Sequence, residues 1–134
     1  MEKVNGIGGI FFKSKDPTSL AKWYRDNLGL PTQEEWSGAI FSWKENNPNA
    51  DAFTVWSLFS SETDYFNPST KPFMVNFRVP DLDAMLAQLR ANGCDVEDKT
   101  QDDEYGKFGW VMDPEGNRIE LWQPPSSNPS PSEG

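Results

Sequence analysis

The sequence predicts an α+β fold built from two βαβββ modules, and three observations carry that expectation. A strand-like apolar segment followed by an aspartate-capped amphipathic segment and a glycine stop occurs twice, so that Asp16 recurs as Asp81 and Gly29 as Gly93. Short β-rich segments follow each of these helical stretches. A polar, proline-punctuated connection, residues 60–72, separates the two copies.

The first module, residues 6–59, opens on the strand Gly9-Ile10-Phe11-Phe12-Lys13. Asp16 is placed to cap the next helix, Pro17 suits its first turn, and Leu20, Trp23 and Tyr24 recur at helical spacing to give one apolar face. Gly29 then supplies the left-handed stop. Three strands are expected after it, Thr32–Trp36, Ala39–Trp43 and Phe53–Leu58. The second module, residues 73–123, repeats the order. Met74–Val79 is the strand, Asp81 the cap, Leu82, Met85, Leu86 and Leu89 the helix face, and Gly93 the stop. Val96–Thr100, Lys107–Met112 and Asn117–Trp122 complete it, and the Pro/Ser-rich tail 124–134 reads as disordered.

At 134 residues and 15.2 kDa the chain suits one domain, 1–123, whose two halves share a core. Six Trp, nine Phe and three Tyr supply the large apolar groups that a mean hydropathy of -0.71 conceals. Twelve basic against 21 acidic residues leave a formal charge of -9, which repels nucleic acid and anionic membrane surfaces and favours the approach of a cation. No segment is apolar and long enough to span a membrane, the start lacks the pattern of a signal peptide, and the single Cys94 forms no internal disulfide. A cytoplasmic location and a buried, structural Cys94 are the expectations.

The helix end Trp23-Tyr24-Arg25-Asp26-Asn27-Leu28-Gly29, the entry Val79-Pro80-Asp81-Leu82-Asp83 and the closing run Asp113-Pro114-Glu115-Gly116-Asn117-Arg118-Ile119-Glu120-Leu121-Trp122 resemble the vicinal oxygen chelate superfamily of glyoxalase I, extradiol dioxygenases, methylmalonyl-CoA epimerase and the bleomycin resistance proteins. The resemblance implies a curved mixed sheet around an open cavity and a homodimer that completes it, and the sequence leaves open whether the modules pair within one chain or across that dimer. In metal-using members His or Gln on each first strand and Glu on each last strand hold the ion. Carried over, these sites fall on Gly9, Met74, near Trp56, and on Glu120. Only Glu120 keeps a ligand, and a tightly held divalent ion needs three or more donors, so no metal and no other cofactor is expected.

Strand alternation places the same residues without the resemblance. If Ile10, Phe12, Val75, Phe77, Val79, Ile119 and Leu121 face the helices, then Phe11, Lys13, Met74, Asn76, Arg78, Arg118, Glu120 and Trp122 share the opposite face. A mostly apolar hollow with a few polar anchors is the pattern of a small-molecule pocket. The candidate ligand-binding residues are therefore Phe11, Lys13, Trp56, Met74, Asn76, Arg78, Trp110 and Trp122, with Glu120 as the candidate catalytic residue. Arg78 and Glu120 forming an ion pair is the structural alternative.

Three functions follow as expectations. The first is a metal-free protein that holds a small organic molecule, without nucleic acid or membrane partners. The second is a lyase or isomerase in which Glu120 is the general base and Arg78 or Asn76 stabilises an enolate oxygen. The third is a scaffold whose cavity is filled by Trp56, Met74 and their neighbours. No histidine occurs, so Ser/His and Cys/His catalytic sets are excluded.

Overall fold

The computed structural model describes residues 1–33, 35–45 and 52–125. Among the described residues eight strands form one curved mixed sheet with two α-helices. The strands are β1 Gly6–Ser14, β2 Gly38–Ser42, β3 Phe53–Ser60, β4 Phe73–Arg78, β5 Asp95–Val96, β6 Gln101–Asp103, β7 Gly106–Met112 and β8 Arg118–Gln123. The helices are α1 Pro17–Leu28 and α2 Leu82–Ala91. The strand order is β2-β3-β1-β4-β8-β7-β5, with β6 pairing β7.

The duplication is visible in the pairing. β1 lies parallel to β3 as β4 lies parallel to β8, and the two first strands meet antiparallel at the centre, Gly9 opposite Asn76 and Phe11 opposite Met74. The modules thus pair within one chain. Both helices begin as the sequence requires: Asp16 accepts the amide of Ser19 and Asp81 that of Ala84. Gly29 and Gly93 adopt φ of 70° and 79°, the left-handed conformation that ends a helix at little cost only for glycine.

The local structure differs from expectation in four places. In place of a strand over Thr32–Trp36, Gln33 makes isolated bridges to Trp36 and Gly38. Of the expected strand Val96–Thr100 only Val96 lies in a strand, the two-residue β5, and β6 starts after it at Gln101. In both places a short run lacks a partner edge long enough to extend a ladder. The strand expected over Ala39–Trp43 ends at Ser42, where Trp43–Glu45 turns into a 3-10 helix. Cys94 is exposed rather than buried, because it follows the end of α2 and does not reach the core. The tail from residue 126 onward lies outside the described residues.

Val79, Leu82, Met85, Leu86, Val111 and Leu121 form the core between α2 and the sheet, joined by Phe77, Leu89, Val96 and Ile119. Alternation along the strands therefore holds for the second module. α1 covers the first module less completely. Its Tyr24 packs on Trp56 at 4.7 Å between rings, Ala21 is buried, and Trp23, expected on the apolar face, is 52 % exposed. Among the described residues the opposite face of the sheet carries no α-helix and holds its own cluster of Phe11, Phe66, Met74 and Trp110. Among the described residues no helix is long and apolar enough to cross a membrane.

Candidate functional site

On the helix-free face, Glu120 stands at the centre of β8, opposite Asn76 on β4 and Trp110 on β7. It is only 2 % exposed. Its Oε1 accepts the Asn76 Nδ2 amide at 2.7 Å, and its Oε2 accepts the Tyr65 hydroxyl at 2.5 Å and the Trp110 Nε1 at 3.0 Å. A buried carboxylate is costly unless hydrogen-bonded, and here three neutral donors do that work. The Tyr65 phenol is pushed far above its ordinary range by burial, and then by the Glu120 charge and hydrogen bond.

Arg118, next but one on the strand, forms a bidentate pair with Glu97, Nε to Oε2 at 2.7 Å and Nη2 to Oε1 at 2.9 Å. Its Nη1 donates to the Tyr65 carbonyl and its guanidinium lies 4.7 Å from the Trp110 ring centroid. Arg118 thus fixes the backbone of the residue whose hydroxyl meets Glu120. Beside Tyr65, Phe66 is fully buried against Phe11, Met74 and Trp110, so the connection between modules plugs one end of the helix-free face.

The other end is built differently. Arg78 at the end of β4 lies 5.4 Å from the ring centroid of Trp43 and 5.0 Å from that of Trp122. Trp122 in turn meets Phe53 edge-on at 5.4 Å and stacks on Phe108 at 6.2 Å. Two polar atoms here are buried with no hydrogen-bond partner, Arg78 Nη1 and Asn76 Oδ1. Burial holds the Arg78 pKa below its usual value. The Asn76 amide has no choice of orientation, since a carboxylate accepting from Tyr65 and Trp110 demands the NH2 side and leaves the carbonyl oxygen facing away.

Glycines make this arrangement possible. A register shift between Ile7 and Gly9 puts a β-bulge at Gly8, so Gly6 and Gly8 before it and Gly9 and Phe11 after it all address the helix-free face. A Cβ on Gly8 would lie 2.2 Å from Asn76 Oδ1 and 2.8 Å from Trp122 Cε3. The space that the glycine pair leaves is used by side chains, the Asn76 amide and the Trp122 and Phe11 rings.

Glu120, Asn76, Met74, Trp110 and Phe11 come together at the centre and the plugged end, and Lys13 joins them with Nζ 5.6 Å from the Phe66 centroid. Arg78 and Trp122 form the other end. Trp56 does not join either: it faces α1, and the position on β3 equivalent to Glu120 is Ser57, which pairs with Phe11 as Glu120 pairs with Asn76. The Arg78–Glu120 ion pair is not formed, since the Glu120 oxygens meet Asn76, Tyr65 and Trp110. Phe53 and Glu97 enter the site without a signal in the sequence. Tyr65 and Phe66 gave one, as large aromatics in an otherwise polar connection that could cover a cavity, and Trp43 one, as a tryptophan able to line a pocket.

The donor set does not fit the metal that the superfamily resemblance implies. Gly9 offers no side chain, Met74 a thioether packed among aromatics, Ser57 a hydroxyl, and Glu120 a carboxylate already bonded to three donors. Among the described residues no group of three or more His, Cys, Asp or Glu could hold an ion. A separate depression of about 320 Å³ lies beside α1, lined by Thr18, Ser19, Lys22, Arg25, Thr32 and Gln33. Both its cations pair with Asp26, and it is remote from the helix-free face.

Comparison with known proteins gives a consistent fold. The family described as a glyoxalase-like domain matches residues 9–122. No curated protein matches the chain. Among solved structures, methylmalonyl-CoA epimerase from Mycobacterium tuberculosis superposes with a TM-score of 0.63 at 20 % identity, covering 92 % of this chain and 91 % of that one. A methylmalonyl-CoA epimerase in complex with methylmalonyl-CoA and NH4+ gives 0.67 at 17 % identity, covering 96 % and 100 %. A glyoxalase/bleomycin resistance protein/dioxygenase superfamily member from Vibrio splendidus 12B01 gives 0.57 at 11 %, covering 92 % and 99 %.

Proposed function

Since the chain belongs to the glyoxalase-like domain family, we propose that it binds a small organic molecule, without a metal, at the end of the helix-free face framed by Trp43, Arg78 and Trp122. Fold alone does not assign a function, so the reading rests on the site. The observation that carries it is the pair of buried, unpartnered polar atoms, Arg78 Nη1 and Asn76 Oδ1, beside a group of aromatic rings. Such atoms are rare in folded proteins because each forfeits its hydration, and a ligand that satisfies both recovers that loss.

Glu120 is a positioning residue in this reading. A general base must come within about 2.6–3.2 Å of the proton it removes. Both Glu120 oxygens are occupied, and Tyr65, Trp110 and Met74 stand around the carboxyl group, so a substrate would have to displace donors already in place. What Glu120 does instead is orient Asn76. The plug of Phe11, Phe66, Met74 and Trp110 favours a second reading, a scaffold whose hollow is wholly filled. The homodimer suggested by the resemblance belongs with either reading. Trp23, Leu28, Phe41 and Phe73 leave large apolar side chains exposed, and light scattering measures the mass.

Tryptophan fluorescence across a panel of neutral, cationic and anionic aromatic compounds tests the proposal, because Trp43 and Trp122 border the site. A saturable change is expected from at least one class, and a flat response to all three favours the filled scaffold. Elemental analysis of protein purified without chelator is expected to find less than stoichiometric metal; about one ion per chain overturns the metal-free reading.

A further inference from the structure

We propose that the site at Arg78 selects a planar aromatic anion, an aryl carboxylate or equivalent acid carrying a hydrogen-bond donor next to the acidic group. The inference rests on the binding reading above and narrows it to a ligand class.

Arg78 is half-buried, its Nη1 has no acceptor, and among the described residues no carboxylate pairs with it. Arginine cannot discharge itself under ordinary conditions, so its positive charge remains while Trp43 and Trp122 exclude water from it. A cationic ligand would add a second uncompensated charge at the same place. A neutral carbonyl would satisfy the hydrogen bond but leave the charge, whereas a carboxylate satisfies both. The overall charge of -9 opposes an anion at long range. That field is screened beyond about 8 Å in physiological salt, while a contact made against desolvated indoles is screened much less. The local cation therefore decides selectivity, against the preference for cations that composition alone suggests.

Asn76 adds the second feature. Glu120 turns its NH2 inward, so Oδ1 is left as a buried acceptor packed over Gly8 and beside Trp122, two residues from Arg78 on the same strand face, roughly 6.5 Å along the strand, and a ligand meets it by moving the Trp122 ring aside. It calls for a hydroxyl or N–H on the ligand. The third feature is flatness: Trp43, Trp122, Phe53 and Phe108 offer ring faces and edges that stack best on a planar group. Arg78, Trp43, Phe53 and Phe108 are all half-buried, so the site borders solvent, while Arg78 Nη1 and Asn76 Oδ1 themselves lie just beneath that surface.

The test titrates the whole chain with benzoate, 2-hydroxybenzoate, benzyl alcohol and benzylamine, read by tryptophan fluorescence and calorimetry. Benzoate is expected to bind about tenfold or more tightly than benzyl alcohol or benzylamine, and 2-hydroxybenzoate several-fold more tightly than benzoate. Arg78→Gln is expected to weaken benzoate about ten- to hundredfold, with Arg78→Lys intermediate. Near-ultraviolet circular dichroism confirms that both variants keep their packing, as expected when an unpaired half-buried cation is removed. Benzylamine or benzyl alcohol binding as tightly as benzoate, or a benzoate affinity unchanged in Arg78→Gln, overturns this inference and leaves the binding reading intact. A 2-hydroxybenzoate no tighter than benzoate overturns the role given to Asn76. Silence from all four compounds overturns the binding reading and this inference together.

Discussion

Asn76 donates its amide to Glu120 at 2.7 Å, and that one bond dictates that its carbonyl oxygen points away, buried and unpartnered, over the backbone of Gly8. The acid and the unpartnered oxygen are thus coupled although they lie on opposite sides of one side chain. A carboxylate can only accept, and Tyr65 and Trp110 occupy its other oxygen, so the amide cannot rotate without setting an acceptor against an acceptor.

Reversing the polarity of that bond tests the coupling. Glu120→Gln alone makes the side chain a donor toward Asn76 Nδ2, and is expected to cost about 1–3 kcal/mol, or to force the Asn76 amide over. Asn76→Asp alone opposes two carboxylates and costs at least as much. The double variant restores one donor and one acceptor, and its stability in urea is expected to exceed the sum of the two single effects by about 1 kcal/mol or more. Strict additivity would show that the pair does not act as a unit.

Gly8→Ala attacks the same oxygen from the other side. The new Cβ would sit 2.2 Å from Asn76 Oδ1 and 2.8 Å from Trp122 Cε3, too close for either to remain. Overpacking of this kind costs about 1–3 kcal/mol, which lowers the melting temperature of a chain this size by roughly 3–10 °C. A melting temperature within a degree of the parent protein would show that the bulge relaxes freely.

The elements legible in the sequence are those set by local rules. Asp16 and Asp81 as caps, Gly29 and Gly93 as stops, and the placement of Asn76, Arg78 and Glu120 on one face follow from capping chemistry and the two-residue period of a strand. What the sequence leaves open depends on register and on long-range packing. Trp56 and Ser57 differ by one residue, and only the pairing of Phe11 with Ser57 shows which of them shares the face of Glu120. Trp43 reaches Arg78 because β2 ends at Ser42 and the chain turns, and Tyr65 reaches Glu120 because Arg118 holds its carbonyl. Neither turn leaves a periodic trace in the sequence.

Glu97 supports the site from outside it. Its bidentate pair with Arg118 is largely buried on the arginine side, where the side chain is 6 % exposed, and Arg118 in turn holds Tyr65. Removing one partner of such a pair strands the other charge, at a cost of about 3–5 kcal/mol when burial is deep. Glu97→Ala is therefore expected to destabilise the chain by several kcal/mol in chemical denaturation. Lys22→Ala, which breaks an exposed pair with Asp26, is expected to change stability by less than about 0.5 kcal/mol. Equal effects of the two substitutions would show that Arg118 finds compensation elsewhere.

Tyr65 gives the site a pH dependence at the alkaline end. Its folded pKa lies above the unfolded value of about 10, because burial and the neighbouring Glu120 charge both disfavour the phenolate. The folded state therefore holds the phenolic proton more tightly than the unfolded chain. Stability from this group is present in full below about pH 10 and is lost as pH rises toward the folded pKa, at up to about 1.4 kcal/mol for each pH unit. Tyr65→Phe has no such proton and also lacks the hydrogen bond to Glu120, so it is expected to be less stable than the parent at pH 7 by about 1–3 kcal/mol. The two proteins are expected to converge as the pH climbs past 10, because only the parent loses the contribution. Urea denaturation of both at intervals from pH 7 to 11 measures this difference directly, with lysine titration common to the two and cancelling. A gap that stays constant over that range would mean that the phenol is not held in its protonated form by Glu120 and burial.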